Sequence, residues 1–295
     1  MNKFIAMSLT LSILGCSPRF SMAQESKPFF EQFKPTVGLV EKIEKWDQGK
    51  NPILVPLGTA FWVGSRNQGI FLISNKHVFS KRDRIALRVY QAGGGSSVLF
   101  LIELNNAKGI AKWIGHPDSR VDIAAIKLNP DSIQIINDVN PKITTIPFSL
   151  FAKSSDVVEG DDVFFIGFPL GLRTTENSFP LLRAGTVSLL PTEDFLVSAN
   201  QDTLGRHIVL LDAMSVGGSS GSPVFLKPGV NRPFLQENVI TAGTESKFIG
   251  ILSGHLIDFQ PVATPFGEGV VKGNAALAIV HPASQILETI NLLTK

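Results

Sequence analysis

Three observations predict an all-β chain of two antiparallel units closed by one C-terminal helix. The 295 residues are mostly short apolar or alternating runs broken by turn residues. Such runs read as strands when helical periodicity is missing. They fall into two series, separated by a loose stretch over residues 129–159 with three prolines and several Asp and Asn. Helices do not alternate with the strands, which argues against a parallel sheet and for two β units of roughly a hundred residues each.

Taken in order, a polar-aromatic lead-in, "QESKPFFEQFKP", comes first. The runs "ILVPLGTAFWVG", "GIFLISNKHVF", "IALRVYQ", "SSVLFLIEL" and "DIAAIKL" then supply the strands of the first unit, with "AGGG" at residues 92–95 as a hairpin turn. We place this unit at residues 36–145, after a lead-in at 24–35, and the second unit at 146–295. Its strands are "DDVFFIGFP", "RAGTVSLL", "EDFLVSA", "HIVLLDAM", "SPVFL", "KFIGILSGHLI" and "AALAIV". Pro282 suits a first helical position, and Ile286, Ile290 and Leu293 share one helical face behind it. Residues 227–247 are too long for a hairpin turn and read as a surface insert. With "DFQPVATPFGEGVVKGN" they are expected to shape access to a cleft.

The first residues are read separately. Lys3 precedes the apolar run "FIAMSLTLSILG", too short to span a bilayer and of signal-peptide form. Cleavage after Ala23, at Ser21-Met22-Ala23, makes residues 1–23 the signal. The alternative is a lipoprotein signal over residues 1–15, with "ILGC" as the box and Cys16 lipidated. Either predicts export, to the periplasm or beyond, with any membrane tie made through Cys16. Loss of residues 1–23 removes Lys3 and Arg19 from the 27 basic residues, leaving 25 against 25 acidic, and removes the single cysteine. A neutral chain without a basic block has no electrostatic footprint for nucleic acid, and its fold cannot rest on disulfides. The sequence gives no oligomeric state.

The chemistry concentrates in "LLDAMSVGGSSGSPVFL", residues 210–226. Read as G-x-S-x-G it nominates Ser219 as the nucleophile of an α/β-hydrolase, with Asp258 and His281 as partners. Read as G-S-S-G-S-P it nominates Ser220. The strand-rich pattern disfavours the first reading, because a nucleophile elbow needs βα repeats around it. A serine hydroxyl is a weak nucleophile that needs an imidazole base and a carboxylate to orient that base. Among five histidines, His77 ends the strand "FLISNKH", and Asp122 begins "DIAAIKL" at a barrel edge, where a partly buried carboxylate requires a hydrogen-bonding partner. Asp118, in "HPDSR", reads as a solvated turn. No histidine pair has metal-ligand spacing, so no metal or organic cofactor is expected.

On the segments "GTAFWVG", "LISNKHVF", "DIAAIKL", "GDDVFFIGFPLGL", "AGTVS", "LDAMSVGGSSGSPVF", "FIGILSG" and "LAIVHPASQIL", the chain resembles the chymotrypsin-like (trypsin-fold) serine peptidases of the bacterial type over roughly residues 36–292. Several segments are also similar to the protease domain of the high-temperature-requirement proteases, here expected without their appended peptide-binding domains. The resemblance implies two six-stranded antiparallel β-barrels, with His77 as general base, Asp122 as its orienter and Ser220 as nucleophile. It implies Gly218 and Ser220 as backbone N–H donors to an oxyanion. Ser219 and Ser222 depart from the family's commoner G-N-S-G-G-P without removing a catalytic group. A substrate pocket formed by Met214, Ser215, Ser253, Gly254 and His255 is implied as well, and a methionine at its base favours an apolar or uncharged P1 residue, on the acyl side of the scissile bond. In a variant of that pocket, Ser215 and His255 accept an acidic P1 side chain. The function expected is an exported serine endopeptidase acting on proteins or peptides. A catalytically silent or latent binding protein on the same fold is the alternative.

Overall fold

In the computed structural model, which describes residues 29–48, 51–65, 69–90, 97–128, 133–135, 143–173, 178–190, 192–196, 203–205, 207–228, 246–265 and 267–294, strand alternation builds two curled antiparallel sheets. The first comprises β1 (Val37–Trp46), β2 (Pro52–Ser65), β3 (Gly69–Ser74), β4 (Arg84–Val89), β5 (Val98–Glu103), β6 (Ile114–Gly115), β7 (Ala124–Lys127) and β8 (Ile133–Ile135), in the order β6-β7-β3-β2-β1-β4-β5-β8. The very short β6 and β8 are additions to the six strands expected. A one-turn helix, α1 (Lys76–Phe79), follows β3.

The second sheet is a closed six-stranded barrel. It is formed by β9 (Asp162–Gly167), β10 (Leu181–Leu189), β13 (Val209–Asp212), β14 (Pro223–Leu226), β15 (Phe248–Thr264) and β16 (Gly267–Pro282). The short pair β11 (Phe195–Leu196) and β12 (Thr203–Gly205) stands apart from it. The chain then enters α2 (Ala283–Leu293), for which Pro282 is the N-cap rather than the first helical residue. Ile286 and Ile290 are buried and Leu293 packs against the same core, as the helical periodicity predicts.

Because successive side chains of a strand point to opposite faces, each central strand feeds two cores. In β2, Ala60 and Trp62 face the interior of the first sheet, with Leu72, Leu87 and Phe100, while Phe61 and Val63 face the seam between the sheets. In β9, Val163 and Phe165 fill the second barrel, and Phe164 and Ile166 reach the seam. The seam is largely aromatic. Phe225 stacks on Phe164 at 5.1 Å and meets Phe33 at 4.5 Å and Phe248 at 5.5 Å. Phe61 closes the cluster from the first sheet, 5.4 Å from Phe248.

Two further elements differ from expectation. β1 was not anticipated: its ladder to β2 shifts register at Val40/Glu41 and at Ile43/Lys45, so the two-residue alternation breaks twice within one strand. The stretch "DFQPVATPFGEGVVKGN" is an antiparallel ribbon, β15 with β16 from Ile257↔Asn274 out to Thr264↔Gly267, where prolines and glycines had suggested a loop. The leader (residues 1–23, including Cys16), the turn at 92–95 and most of the insert at 227–247 lie outside the described residues.

Phe225 supplies the central ring of the seam. Phe225→Ala should cost about 3–5 kcal/mol in denaturant unfolding, because the ring's transfer energy and a cavity are both charged to the native state. A cost below about 1 kcal/mol would mean that the seam does not hold the two sheets together.

Candidate active site

His77 does not end a strand. It lies in α1, the single helical turn after β3, and Arg82 caps that turn by donating from Nη1 to the carbonyls of His77, Val78 and Ser80. Asp122 sits two residues before β7, in the loop that leads into it. The two meet across this gap. His77 Nδ1 is 2.5 Å from Asp122 Oδ2, and the His77 backbone N–H donates to Oδ1 at 3.2 Å. A carboxylate can only accept, so Nδ1 carries the proton and Nε2 is left as a base. His77 is 53% exposed in its side chain and Asp122 29%, so the imidazole faces solvent while the carboxylate is more sheltered.

Burial alone would raise the Asp122 carboxyl. The hydrogen bond and charge of His77 more than offset that burial, and with smaller contributions from the His77 backbone N–H and from His281 they hold Asp122 below its ordinary value. Its backbone is fixed from two sides. Asn75 Nδ2 donates to the Asp122 carbonyl at 2.7 Å, and the Asp122 N–H donates to Nε2 of His281 at 3.1 Å. His281, only 2% exposed, is pushed down to about 4 by that burial, against the opposing pull of Asp122 and Gln285. Nearby, the buried His116 accepts from the Asp118 N–H through Nδ1 and donates from Nε2 to Glu288 of α2 at 3.0 Å.

The serine loop is shaped by Thr59 of β2. The Thr59 N–H donates to the Ser220 carbonyl at 2.8 Å. Its hydroxyl donates to the Gly218 carbonyl at 3.0 Å and accepts from the Phe168 N–H at 3.1 Å. Gly221 has φ +88°, and a Cβ there would stand 1.8 Å from the Thr59 oxygen, so only glycine lets the two backbones meet. At Gly218, φ +87°, a Cβ would meet the Phe168 oxygen at 2.4 Å.

Within this loop the N–H groups of Ser219, Gly221 and Ser222 bond to Val216, Leu252 and Ser219 carbonyls respectively. Among the described residues, the Gly218 and Ser220 N–H groups have no backbone acceptor. The Gly217 carbonyl accepts from Leu170 at 2.6 Å, and in a trans peptide this turns the Gly218 N–H the opposite way. Leu170 holds that bond from a left-handed conformation, φ +58°. Its segment is tied back to the first sheet by Arg173, 3.3 Å from the fully buried Glu41, which Arg88 also pairs at 3.0 Å. Burial raises the Glu41 carboxyl, and the two arginines oppose the rise.

The Ser220 hydroxyl donates to the Ser253 carbonyl at 3.1 Å. Among the described residues it makes no hydrogen bond to His77, so the structure brings His77 and Asp122 together and holds Ser220 on β15. Of the residues expected to form the pocket, Ser253, Gly254 and His255 lie on β15, and Met214 and Ser215 lie in the segment that follows β13. Ser215 Oγ is 3.3 Å from His255 Nδ1 and 3.4 Å from the Gly254 carbonyl, and Asn274 Nδ2 donates to the Ser215 carbonyl at 2.5 Å. Ser215 is buried, whereas Met214 is 48% exposed, which is more open than the base of an enclosed pocket. No group of three or more His, Cys, Asp or Glu among the described residues could hold a metal ion.

Residues 58–230 match the trypsin-like peptidase domain. The chain belongs to that family. The MamO protease domain from Magnetospirillum magneticum, in its apo form, is a solved structure similar to this chain, with 19% identity, a TM-score of 0.48, and coverage of 88% of this chain and 97% of that one. No curated protein matches. For a trypsin-like chain the esterase reading falls, because the described residues carry no βα repeat around Ser219. Ser219 is buried with its Oγ toward the Val216 N–H, Asp258 accepts from Gln260 in the ribbon, and His281 lies behind Asp122. Thr59, His116 and His281 had no sequence signal for the places they take; a lone Thr or His within an apolar strand reads as packing.

The burial of His281 has a consequence for acid stability. Above about pH 6.5 the imidazole is neutral in both folded and unfolded chains. Between about 6.5 and about 4 the unfolded chain binds a proton that the folded one excludes, so stability falls as pH falls. At 1.36 kcal/mol per pH unit the loss is on the order of 3 kcal/mol. Asp122, held below its ordinary value, adds its own loss at lower pH. Urea unfolding of wild type and His281→Asn across this range should show a shallower dependence in the variant, and equal slopes would contradict the assignment.

Proposed function

We propose that this trypsin-like chain is an exported serine endopeptidase. The observation that carries the reading is the His77–Asp122 pair, with the imidazole proton committed to the carboxylate and Nε2 left free, beside the loop that bears Ser220. In the acting enzyme the Ser220 hydroxyl leaves the Ser253 carbonyl and bonds to Nε2 of His77 instead. Catalytic hydrogen bonds of this kind are often unmade in the free enzyme. Oγ then attacks the scissile carbonyl carbon while its proton passes to Nε2. The developing oxyanion is met by the Gly218 and Ser220 N–H groups, whose neighbours in the loop are already bonded. Collapse breaks the C–N bond, and the leaving amine takes the proton from Nε2. Water, deprotonated by the same nitrogen, releases the acyl group and restores Ser220.

In substrate choice, the exposed Met214 supplies no counter-charge and supports an apolar or uncharged P1 residue. The contact of Ser215 with His255 favours a second reading, an acidic P1 side chain accepted by these two groups. Export rests on the apolar run behind Lys3. The bond from Ser220 to Ser253 favours the latent form as the alternative to a standing enzyme.

Treatment of the protein lacking residues 1–23 with a fluorophosphonate, followed by peptide mapping, tests the proposal. The adduct is expected on Ser220 and absent in His77→Ala. Gly218→Ala keeps the N–H but sets a Cβ 2.4 Å from the Phe168 oxygen at a positive φ, so the donor is displaced and labelling should slow by roughly 10²–10³-fold, the usual effect of one lost oxyanion donor. A folded protein that takes no label has a latent or binding role instead. Peptides varied only at P1 then separate the two pockets, and cleavage confined to Arg or Lys would overturn both.

A further inference from the structure

We propose that His281 is a positioning residue for the triad carboxylate, reaching from the second barrel to fix Asp122 of the first through the hydrogen bond from the Asp122 N–H to Nε2. The proposal rests on the peptidase reading, and it gives the far end of the chain a role that the triad alone does not.

Asp122 precedes β7, so no ladder there holds its backbone. Both its main-chain polar groups go to side chains instead, the carbonyl to Asn75 and the N–H to His281. Asn75 adjoins α1, so this bond ties Asp122 to the turn that bears His77. His281 adds the only tether from the other barrel among the described hydrogen bonds of Asp122. Its own place is fixed on both sides. It pairs with Ile251 near the end of β16, and the next residue, Pro282, caps α2.

The chemistry of this position is narrow. An acceptor is needed for a buried N–H, yet a carboxylate would repel Asp122 and an aliphatic side chain would leave the donor unpaired, at a cost equivalent to roughly a 10- to 100-fold change in an equilibrium. A neutral imidazole protonated on Nδ1 meets the need, and Gln285 of α2 neighbours the ring. Burial keeps it neutral at the pH where His77 must act as a base. His116, bonded to Asp118 and to Glu288, makes a second link between the same loop and the same helix.

Three readouts test this. In wild-type protein labelled with ¹⁵N-histidine, the His281 ring should show a protonated Nδ1 and a bare Nε2 at neutral pH. The opposite tautomer, or an imidazolium, overturns the proposal without any variant having to fold. The downfield proton of His77 Nδ1, assigned by its loss in His77→Ala, should shift or broaden in His281→Phe and return in His281→Asn, which keeps an acceptor. Fluorophosphonate labelling of Ser220 should slow about tenfold or more in His281→Phe and recover in His281→Asn, with the affinity for a reversible peptide inhibitor within about twofold of wild type. A folded His281→Phe with the His77 resonance and the labelling rate of wild type would overturn the assignment. If wild type takes no label while the proton resonances behave as described, the peptidase reading fails and the positioning of Asp122 stands.

Discussion

Thr59 commits all its polar groups to one junction. Its N–H and hydroxyl hold the Ser220 and Gly218 carbonyls, its hydroxyl oxygen accepts from Phe168, and its carbonyl accepts from the Ser74 hydroxyl at 2.7 Å. A strand of the first sheet thereby shapes the serine loop of the second. The loop can take this shape only where two backbones nearly touch, which is why Gly221 and Gly218 carry no side chain. The bonds that Thr59 makes to Ser220, Gly218 and Phe168 do not survive a relative movement of the barrels of about an ångström. The aromatic seam around Phe225 prevents such movement, so packing energy there is converted into precision at the site.

The opposite crossing runs through His281. The loop carrying Asp122 belongs to the first sheet, but its backbone is held by a residue at the end of the second barrel, and α2 reinforces it through Glu288 and His116. Each barrel thus positions a group that belongs to the other. His77 is the exception, capped by Arg82 from its own sheet, and it is also the most open of the three to solvent. That division leaves an exposed imidazole paired to a more sheltered carboxylate, as the proposed peptidase chemistry requires.

Much of this was legible in the sequence because it is local. Alternation located most of the strands, and the 3.6-residue spacing of Ile286, Ile290 and Leu293 located the helix. His77 and Asp122 were legible as residue types that pair, and the structure brings them together, while Ser220 stands on the Ser253 carbonyl. What escaped depends on relations across the chain. β1 hid behind two register shifts, and its buried Glu41 reads as a surface residue until Arg88 and Arg173 are seen to pair it. The ribbon beyond Ile257 hid behind Pro261 and several glycines, residues that a two-stranded, solvent-facing ladder tolerates and a central strand does not. Thr59 and His281 carry no motif, since what they do is defined by partners more than a hundred residues away.

The most direct test of the account is a crystal structure of the protein treated with a peptide aldehyde bearing an apolar P1 residue. The account predicts a covalent bond from Ser220 Oγ to the aldehyde carbon, the oxyanion within hydrogen-bonding distance of the Gly218 and Ser220 nitrogens, and the Thr59 contacts unchanged. Clear density for an unmodified Ser220 still on the Ser253 carbonyl, or an adduct whose oxygen points away from both nitrogens, would contradict it.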